Sequence, residues 1–131
     1  MSEEKDLTIL LKSMQPKLQD GDFVFCTVAN KDSIHEKEMI MSFREEEGLT
    51  IIVRKDFADS LALHYSFVAA WITLTVHSSL EAVGLTAAFA AALTKHEISC
   101  NVVAAFYHDH IFVKKTDAEK AMEVLWQLTG V

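Results

Sequence analysis

The apolar positions change period several times along the chain, and each change marks an element. Leu7, Leu10, Leu11 and Met14 recur at helical spacing behind Asp6, a suitable cap, and Pro16 predicts the stop of this opening helix. After Gly21, the run FVFCTVA (Phe23 to Ala29) is β-branched and aromatic and of strand length. The polar NKDSIHEKE behind it leaves room for only a turn or two of helix. MIMSF and LTIIV flank REEEG, where Gly48 can take a positive φ and reverse the chain, so a hairpin is expected. Asp56 is placed to cap a brief helix through Leu63.

The second half repeats that order more clearly. Phe67 to Val76 is continuously apolar and rich in β-branched residues, the pattern of a central strand covered on both faces. From Gly84, GLTAAFAAALTKH is alanine-dense and sets Leu85, Phe89, Ala92 and Leu93 on one stripe, which predicts a helix lying close to a sheet. SCNVVAAFY and HIFVKK read as two strands, with His108 and Asp109 in the turn between them, where Asp tolerates unusual backbone angles. Thr116 and Glu119 have capping-box spacing before a last helix with Ala118, Met122 and Leu125 on one face and Gly130 at its end.

The second half therefore reads β-α-β-β-α, and the first half from Phe23 is a shortened copy. This is the split βαβ layout of a ferredoxin-like sandwich, an α+β fold with antiparallel sheets and helices on one face. The expected division is a shortened half with its leading helix at 1–64 and a second half at 65–131. Each half lacks an obvious fourth strand. An incomplete sheet exposes unpaired amides, which pairing with the other half or another chain would satisfy.

Composition narrows the role. Half the residues are apolar and the mean hydropathy is +0.18, which favours self-association into a homo-oligomer. A formal charge of −7, with twelve Lys and Arg scattered among nineteen acids, excludes a phosphate backbone or an anionic membrane as partner. MSEEKD lacks the layout of a secretory signal, and the longest apolar run falls far short of the roughly 20 residues a membrane helix needs. The cytoplasm is the expected compartment. Cys26 and Cys100 stand alone in strand-like surroundings and read as small buried reduced residues.

No GxSxG, P-loop, GxGxxG or HExxH pattern occurs, so no catalytic residue and no cofactor are expected. FYHDHIF places two histidines and an aspartate in an apolar run, but two ligands without a third do not make a usual zinc site, and no metal site is expected. Trp71 and Trp126 lie in apolar periodic runs and fit a core or interface.

The segment SSLEAVGLTAAFAAALTKHEISCNVVAAFYHDHIFV resembles the ACT-domain superfamily, in particular small tandem ACT-like proteins related to aspartokinase regulatory domains and amino-acid sensors. GDFVFCTV and EEEGLTIIV are similar to that family's first module, so the resemblance spans nearly the whole chain. It implies a non-enzymatic regulatory or sensor module binding a small metabolite, an amino acid first of all. The head of such a ligand would sit in the loop HSSLEAVGLT. Val83, Gly84, Leu85 and Thr86 can offer helix-start amides to a carboxylate, while Ser78, Ser79 and the Thr86 hydroxyl add hydrogen bonds. Glu81 or Asp109 would take the ammonium, with His108 as a further contact from its turn. The plainer alternative is that Gly84 only permits a turn and the hydroxyls only cap the helix, in an interaction module without a small ligand. TKHEIS departs from the family pattern, in which this helix often ends in glycine, so a different helix exit is expected.

Overall fold

The computed structural model describes residues 6–75 and 84–130. In chain order the elements are α1 (Leu7–Ser13), β1 (Gln15–Leu18), β2 (Phe23–Val28), β3 (Met41–Arg44), β4 (Leu49–Arg54), α2 (Lys55–Ser60), β5 (Ala69–Thr75), α3 (Leu85–Lys95), β6 (Asn101–Ala104), β7 (Asp109–Lys114) and α4 (Ala118–Leu128). Short 3₁₀ turns fall at Lys31–Ser33, Glu36–Glu38 and Lys115–Asp117. Two compact units form: Gly21–Ala69, and the segment up to Asp20 together with Ala70 onward.

Grouping by contact differs from the expected division at residues 64 and 65 in one respect. The leading helix packs in the carboxy-terminal unit, where Leu10 and Met14 join Ile72, Leu74, Phe89, Leu93, Ile111 and Leu125 in a single core. Each large apolar side chain buried there is worth about 1.5–3 kcal/mol relative to exposure. Asp6 caps α1 as expected, accepting a hydrogen bond from the Ile9 amide at 3.2 Å.

The strand order of this unit is β1-β5-β7-β6. Its fourth strand is β1, antiparallel to β5 in the register Gln15↔Thr75 to Leu18↔Ile72. Pro16, expected only to stop a helix, is therefore a strand residue. The Gln19 amide donates to the Trp71 carbonyl at 2.8 Å, which makes Gln19 and Trp71 a hydrogen-bonded pair. Pairs alternate in an antiparallel ladder, so Pro16 opposite Leu74 falls at a non-hydrogen-bonded position and its missing N–H costs the ladder nothing.

Ala70, Ile72 and Leu74 of β5 enter the core with Ile111 and Val113 of β7, on the side packed by α1, α3 and α4. The intervening residues occupy the other face. There the Trp71 ring stacks on Phe112 at 6.1 Å between centroids, and the Thr73 hydroxyl lies 3.0 Å from His110 Nδ1. These two contacts run in opposite senses along β5 and β7, as an antiparallel pair requires. β6 pairs β7 from Asn101↔Phe112 to Ala104↔Asp109.

The exit of α3 is not the different one expected at TKHEIS. The Ile98 amide bonds to the Leu93 carbonyl at 3.0 Å and the Glu97 amide to Thr94 at 2.9 Å, the closure usually made around a glycine. Glu97 supplies the left-handed conformation itself, at φ 61. At α4, Thr116 does not cap: Asp117 occupies that position without a side-chain hydrogen bond, because the chain enters through the 3₁₀ turn at Lys115–Asp117.

The amino-terminal unit orders its strands β3-β4-β2, with β2 and β4 antiparallel from Phe23↔Arg54 to Val28↔Leu49. Val24, Cys26, Ile34, Ile51, Val53 and Ala58 form its core. The predicted hairpin is present, and Gly48 turns it at φ 157, where a Cβ would lie 2.8 Å from Thr27 Oγ1. Asp56 does not cap α2, since the helix begins one residue before it, with Arg54 at the cap. NKDSIHEKE makes two 3₁₀ turns, in line with its polar sequence.

Candidate functional site

The site expected from the sequence lies in the carboxy-terminal unit. Ser78, Ser79, Glu81 and Val83 fall outside the described residues. Gly84 stands at the N-cap of α3 with φ 95, a conformation that L residues rarely adopt, and no side chain among the described residues caps the helix. Leu7 of α1 packs against it: a Cβ on Gly84 would lie 3.3 Å from Leu7 Cδ2. Leu85 is buried in the core, so only its amide can face a ligand, whereas Thr86 is exposed.

The expected turn at His108 and Asp109 needs correction. The reversal falls at Phe106 and Tyr107, closed by the Ala105 amide bonding the His108 carbonyl at 3.1 Å, and Asp109 is the first residue of β7, opposite Ala104. The two-residue shift puts the aromatic pair at the tip, 75% and 70% exposed, and draws Asp109 inward to 9% exposure. Burial raises the Asp109 carboxyl above its ordinary value, against an opposing effect of His108. Its carboxylate has no hydrogen bond among the described residues, and His108 Nδ1 is buried without a partner among them.

These groups share one end of the unit. The Thr73–His110 contact sets the start of β7 beside the end of β5, from which the chain leaves toward α3. At its other end α3 leads into β6, whose first residue, Asn101, pairs with Phe112, three residues along β7 from Asp109. Eleven helical residues span about 16 Å, so the start of α3 returns to the end where Asp109 lies.

Behind them, on the opposite sheet face, is a polar chain that the sequence reading did not find. Gln19 Nε2 donates to Thr73 Oγ1 at 3.0 Å, and both Thr73 Oγ1 and Trp71 Nε1 stand 3.0 Å from His110 Nδ1. An indole N–H only donates, so His110 must accept at Nδ1 and carry its proton on Nε2. Burial, and then the charge of His108, lower the His110 pKa below its ordinary value. The alternation of Trp71, Thr73 and Thr75 with Ala70, Ile72 and Leu74 was a signal for this face. Gln19 and His110 gave none, being 54 and 37 residues from Thr73.

Both cysteines are free, and burial pushes the Cys100 thiol up to about 11, which keeps it protonated and unreactive at neutral pH. Among the described residues no group of three or more His, Cys, Asp or Glu side chains is arranged to hold a metal ion, and no helix is long and apolar enough to cross a membrane.

Sequence models of the ACT domain match residues 2–70 and 66–127. The chain belongs to the ACT domain family. Its two ACT domains lie in tandem, and the ferredoxin-like α+β arrangement is the one that family adopts. A comparison with the curated proteins finds no match. Among solved structures, a Vibrio cholerae protein of unknown function, described as a possible transport protein, is 49% identical, with a TM-score of 0.85 over 94% of this chain and 95% of that one. A protein from Agrobacterium tumefaciens is 17% identical, with a TM-score of 0.71 and coverage of 88% and 89%. The regulatory subunit of aspartate kinase from Thermus thermophilus, in ligand-free form, is 12% identical, with a TM-score of 0.59 and coverage of 86% and 95%. The last two share the ACT fold with this chain.

Proposed function

We propose that this tandem ACT protein is a regulatory module without chemistry of its own, which binds a small metabolite, an amino acid first of all, at the end of the carboxy-terminal unit where α3 begins. The observation that carries the reading is the pairing of a helix start at Gly84 with a buried carboxyl at Asp109, neither of which has a side-chain hydrogen bond among the described residues. The first amides of a helix attract a carboxylate, and a desolvated Asp that gains an ammonium partner recovers what its burial cost. In this reading Leu85 and Thr86 contribute amides and His108 lines the ammonium side. Ser78, Ser79, Glu81 and Val83 complete the loop. The protein works in the cytoplasm as a homo-oligomer, and its partners are the metabolite and the protein it regulates.

Thermal-shift screening of the twenty amino acids tests the proposal. A ligand at 100 times its Kd adds about 2.7 kcal/mol of stability, and Asp109→Asn is expected to abolish that increment. No shift with any of the twenty would count decisively against it.

A second reading, an interaction module without a small ligand, is favoured by Phe106 and Tyr107. They pack edge to face at 5.1 Å on an exposed hairpin tip, where two aromatic rings stand in water. Light scattering of Phe106→Ser with Tyr107→Ser separates the readings: loss of assembly with amino-acid binding intact would leave the first standing and assign the tip to contact.

A further inference from the structure

β3 ends the strand order of the amino-terminal unit, and among the described residues no strand pairs with its outer side. The hairpin fixes which of its amides face outward. The Glu45 and Gly48 amides each bond the other's carbonyl, at 3.0 and 3.3 Å, so these two residues are a hydrogen-bonded pair. Such pairs alternate along an antiparallel ladder, and the next ones are Arg44↔Leu49, Phe43↔Thr50 and Ser42↔Ile51. Phe43 therefore bonds Thr50, while Ser42 and Arg44 turn their N–H and C=O groups away from β4 toward the open edge.

An open edge is a template for another strand unless proline, lysine or a cover protects it. β1 is protected in this way: its outward position holds Pro16, which has no N–H, and Lys17 beside it is exposed. β6 turns Val102 and Ala104 outward, because Ala105 bonds His108, but Val103 between them is half-buried. β3 has neither proline nor lysine, and its Phe43 is 65% exposed.

The occupant this pattern selects is a second copy of the chain. Two outward residues with one between them are self-complementary. About a twofold axis through Phe43, Ser42 faces Arg44 of the second copy and Arg44 faces its Ser42, so four N–H···O bonds satisfy the outward groups of both strands. Phe43 then meets its own copy as a non-hydrogen-bonded pair, in which the Cα atoms stand about 4.5 Å apart and side chains lie close, and the two exposed rings cover each other. Arg44 is the one charge in β3, so the paired segments carry none of the acidic surplus that opposes association of two copies. An unrelated strand would bond the same amides but would have to bring its own cover for Phe43. We infer that β3 is a homotypic contact surface, pairing edge to edge with β3 of a second copy in the antiparallel register centred on Phe43. The inference rests on the homo-oligomer part of the reading above and is independent of the metabolite. Two four-residue strands by themselves fall short of the about 1,200–2,000 Å² buried in a stable interface, so the dimer is expected to depend on concentration.

The test is disulfide trapping of the full chain at about 1 mM, where a pairing with a millimolar Kd is populated. Phe43→Cys is expected to form a disulfide-linked dimer at least about tenfold faster than Ser42→Cys or Arg44→Cys. An axial pair at about 4.5 Å lies within the about 4.4–6.8 Å that a disulfide spans, whereas Ser42 and its own copy are offset by two residues, about 6.8 Å along the strand, and fall outside it. Cys26 and Cys100 are present in all three variants and cancel in the comparison. Sedimentation of Ser42→Pro supplies a readout without a covalent bond. The Ser42 N–H does not serve the ladder with β4, so proline leaves the hairpin intact and is expected to raise the dimer Kd about tenfold or more, while Ala104→Pro, at an outward position of β6, leaves it unchanged. The dispersion of NMR spectra reports that both variants remain folded. Equal trapping rates for the three cysteine variants would overturn the inference, as would a Ser42→Pro chain that associates like its parent. Association lost with Ala104→Pro, or with Phe106→Ser and Tyr107→Ser together, and kept with Ser42→Pro would leave the homo-oligomer reading standing and overturn this surface. A parent chain that stayed monomeric at about 1 mM would overturn both.

Discussion

The two units are built from the same string of elements, yet only one is complete. The carboxy-terminal unit has four strands in the order β1-β5-β7-β6 and packs α1, α3 and α4 on one side. The amino-terminal unit has β3-β4-β2, the six-residue α2, and two 3₁₀ turns where its counterpart has an eleven-residue helix. The difference lies in where residues 6–20 go. They precede the amino-terminal unit in sequence but supply the fourth strand and a helix to the other. An edge strand is completed by whichever segment can reach it with a matching apolar face, and chain order does not decide which.

The sharpest way to break this comparison is Leu10→Ala. Leu10 is fully buried among carboxy-terminal core residues, so its truncation is expected to cost about 2–5 kcal/mol. The loss should appear as faster amide exchange in β5, β7 and α3. Exchange that quickened in β2 and β4 and left β5 and β7 unchanged would show that the leading helix stabilises the unit it precedes.

Next in size is Trp71→Phe, which keeps a ring near Phe112 but removes the N–H that holds His110 Nδ1. A loss of about 1–2 kcal/mol in chemical denaturation is expected, and none is expected from Trp126→Phe on the exposed side of α4.

The same histidine gives a pH dependence. Its folded pKa is lowered from 6.5, so below that value the unfolded chain binds the extra proton, and stability falls as pH drops through the interval between the ordinary and the depressed value. Asp109 has the opposite sign. Its carboxyl is raised from 3.8, so the folded chain holds the extra proton and stability falls as pH rises through the interval above 3.8. Melting temperatures of His110→Gln should lose the decline below pH 6.5, and those of Asp109→Asn should rise most at neutral pH. A His110→Gln curve parallel to that of the parent chain would remove His110 as the cause.

The smallest effect compares the helix exits. Glu97 after α3 and Ala62 after α2 both take left-handed angles, φ 61 and 54, inside the same closing pattern: Ile98 bonds Leu93 at 3.0 Å and Leu63 bonds Ala58 at 2.9 Å. Replacing either by Gly should stabilise the protein by about 0.5–1 kcal/mol, the strain relieved less the entropy gained by the unfolded chain. Unequal gains would mean that one side chain makes contacts which offset its backbone strain.

Much of the fold was legible because it depends on local pattern. The 3.6-residue stripe of Leu85, Phe89 and Leu93 and the turn at Gly48 are properties of adjacent residues, and the structure has them where the sequence puts them. The hairpin after β6 was misplaced by two residues because FYHDHIF marks a turn with polar side chains, whereas the chain reverses through Phe106 and Tyr107. Asp109 was picked out as a loop acid and is in fact buried, and polarity alone does not reveal a carboxyl drawn into a strand.

The residues by themselves determined the α+β class, the repeated order of elements and the start of α3 at Gly84, since periodicity and turn chemistry act over a few neighbouring positions. Only the tertiary structure decided that β1 completes the later unit, that Trp71, Thr73, Gln19 and His110 share hydrogen bonds, and that Arg54 rests against Gly21 over the Phe23 ring. Those contacts join positions far apart in the chain or depend on which way a side chain leaves a strand, and both are set by how the faces pack.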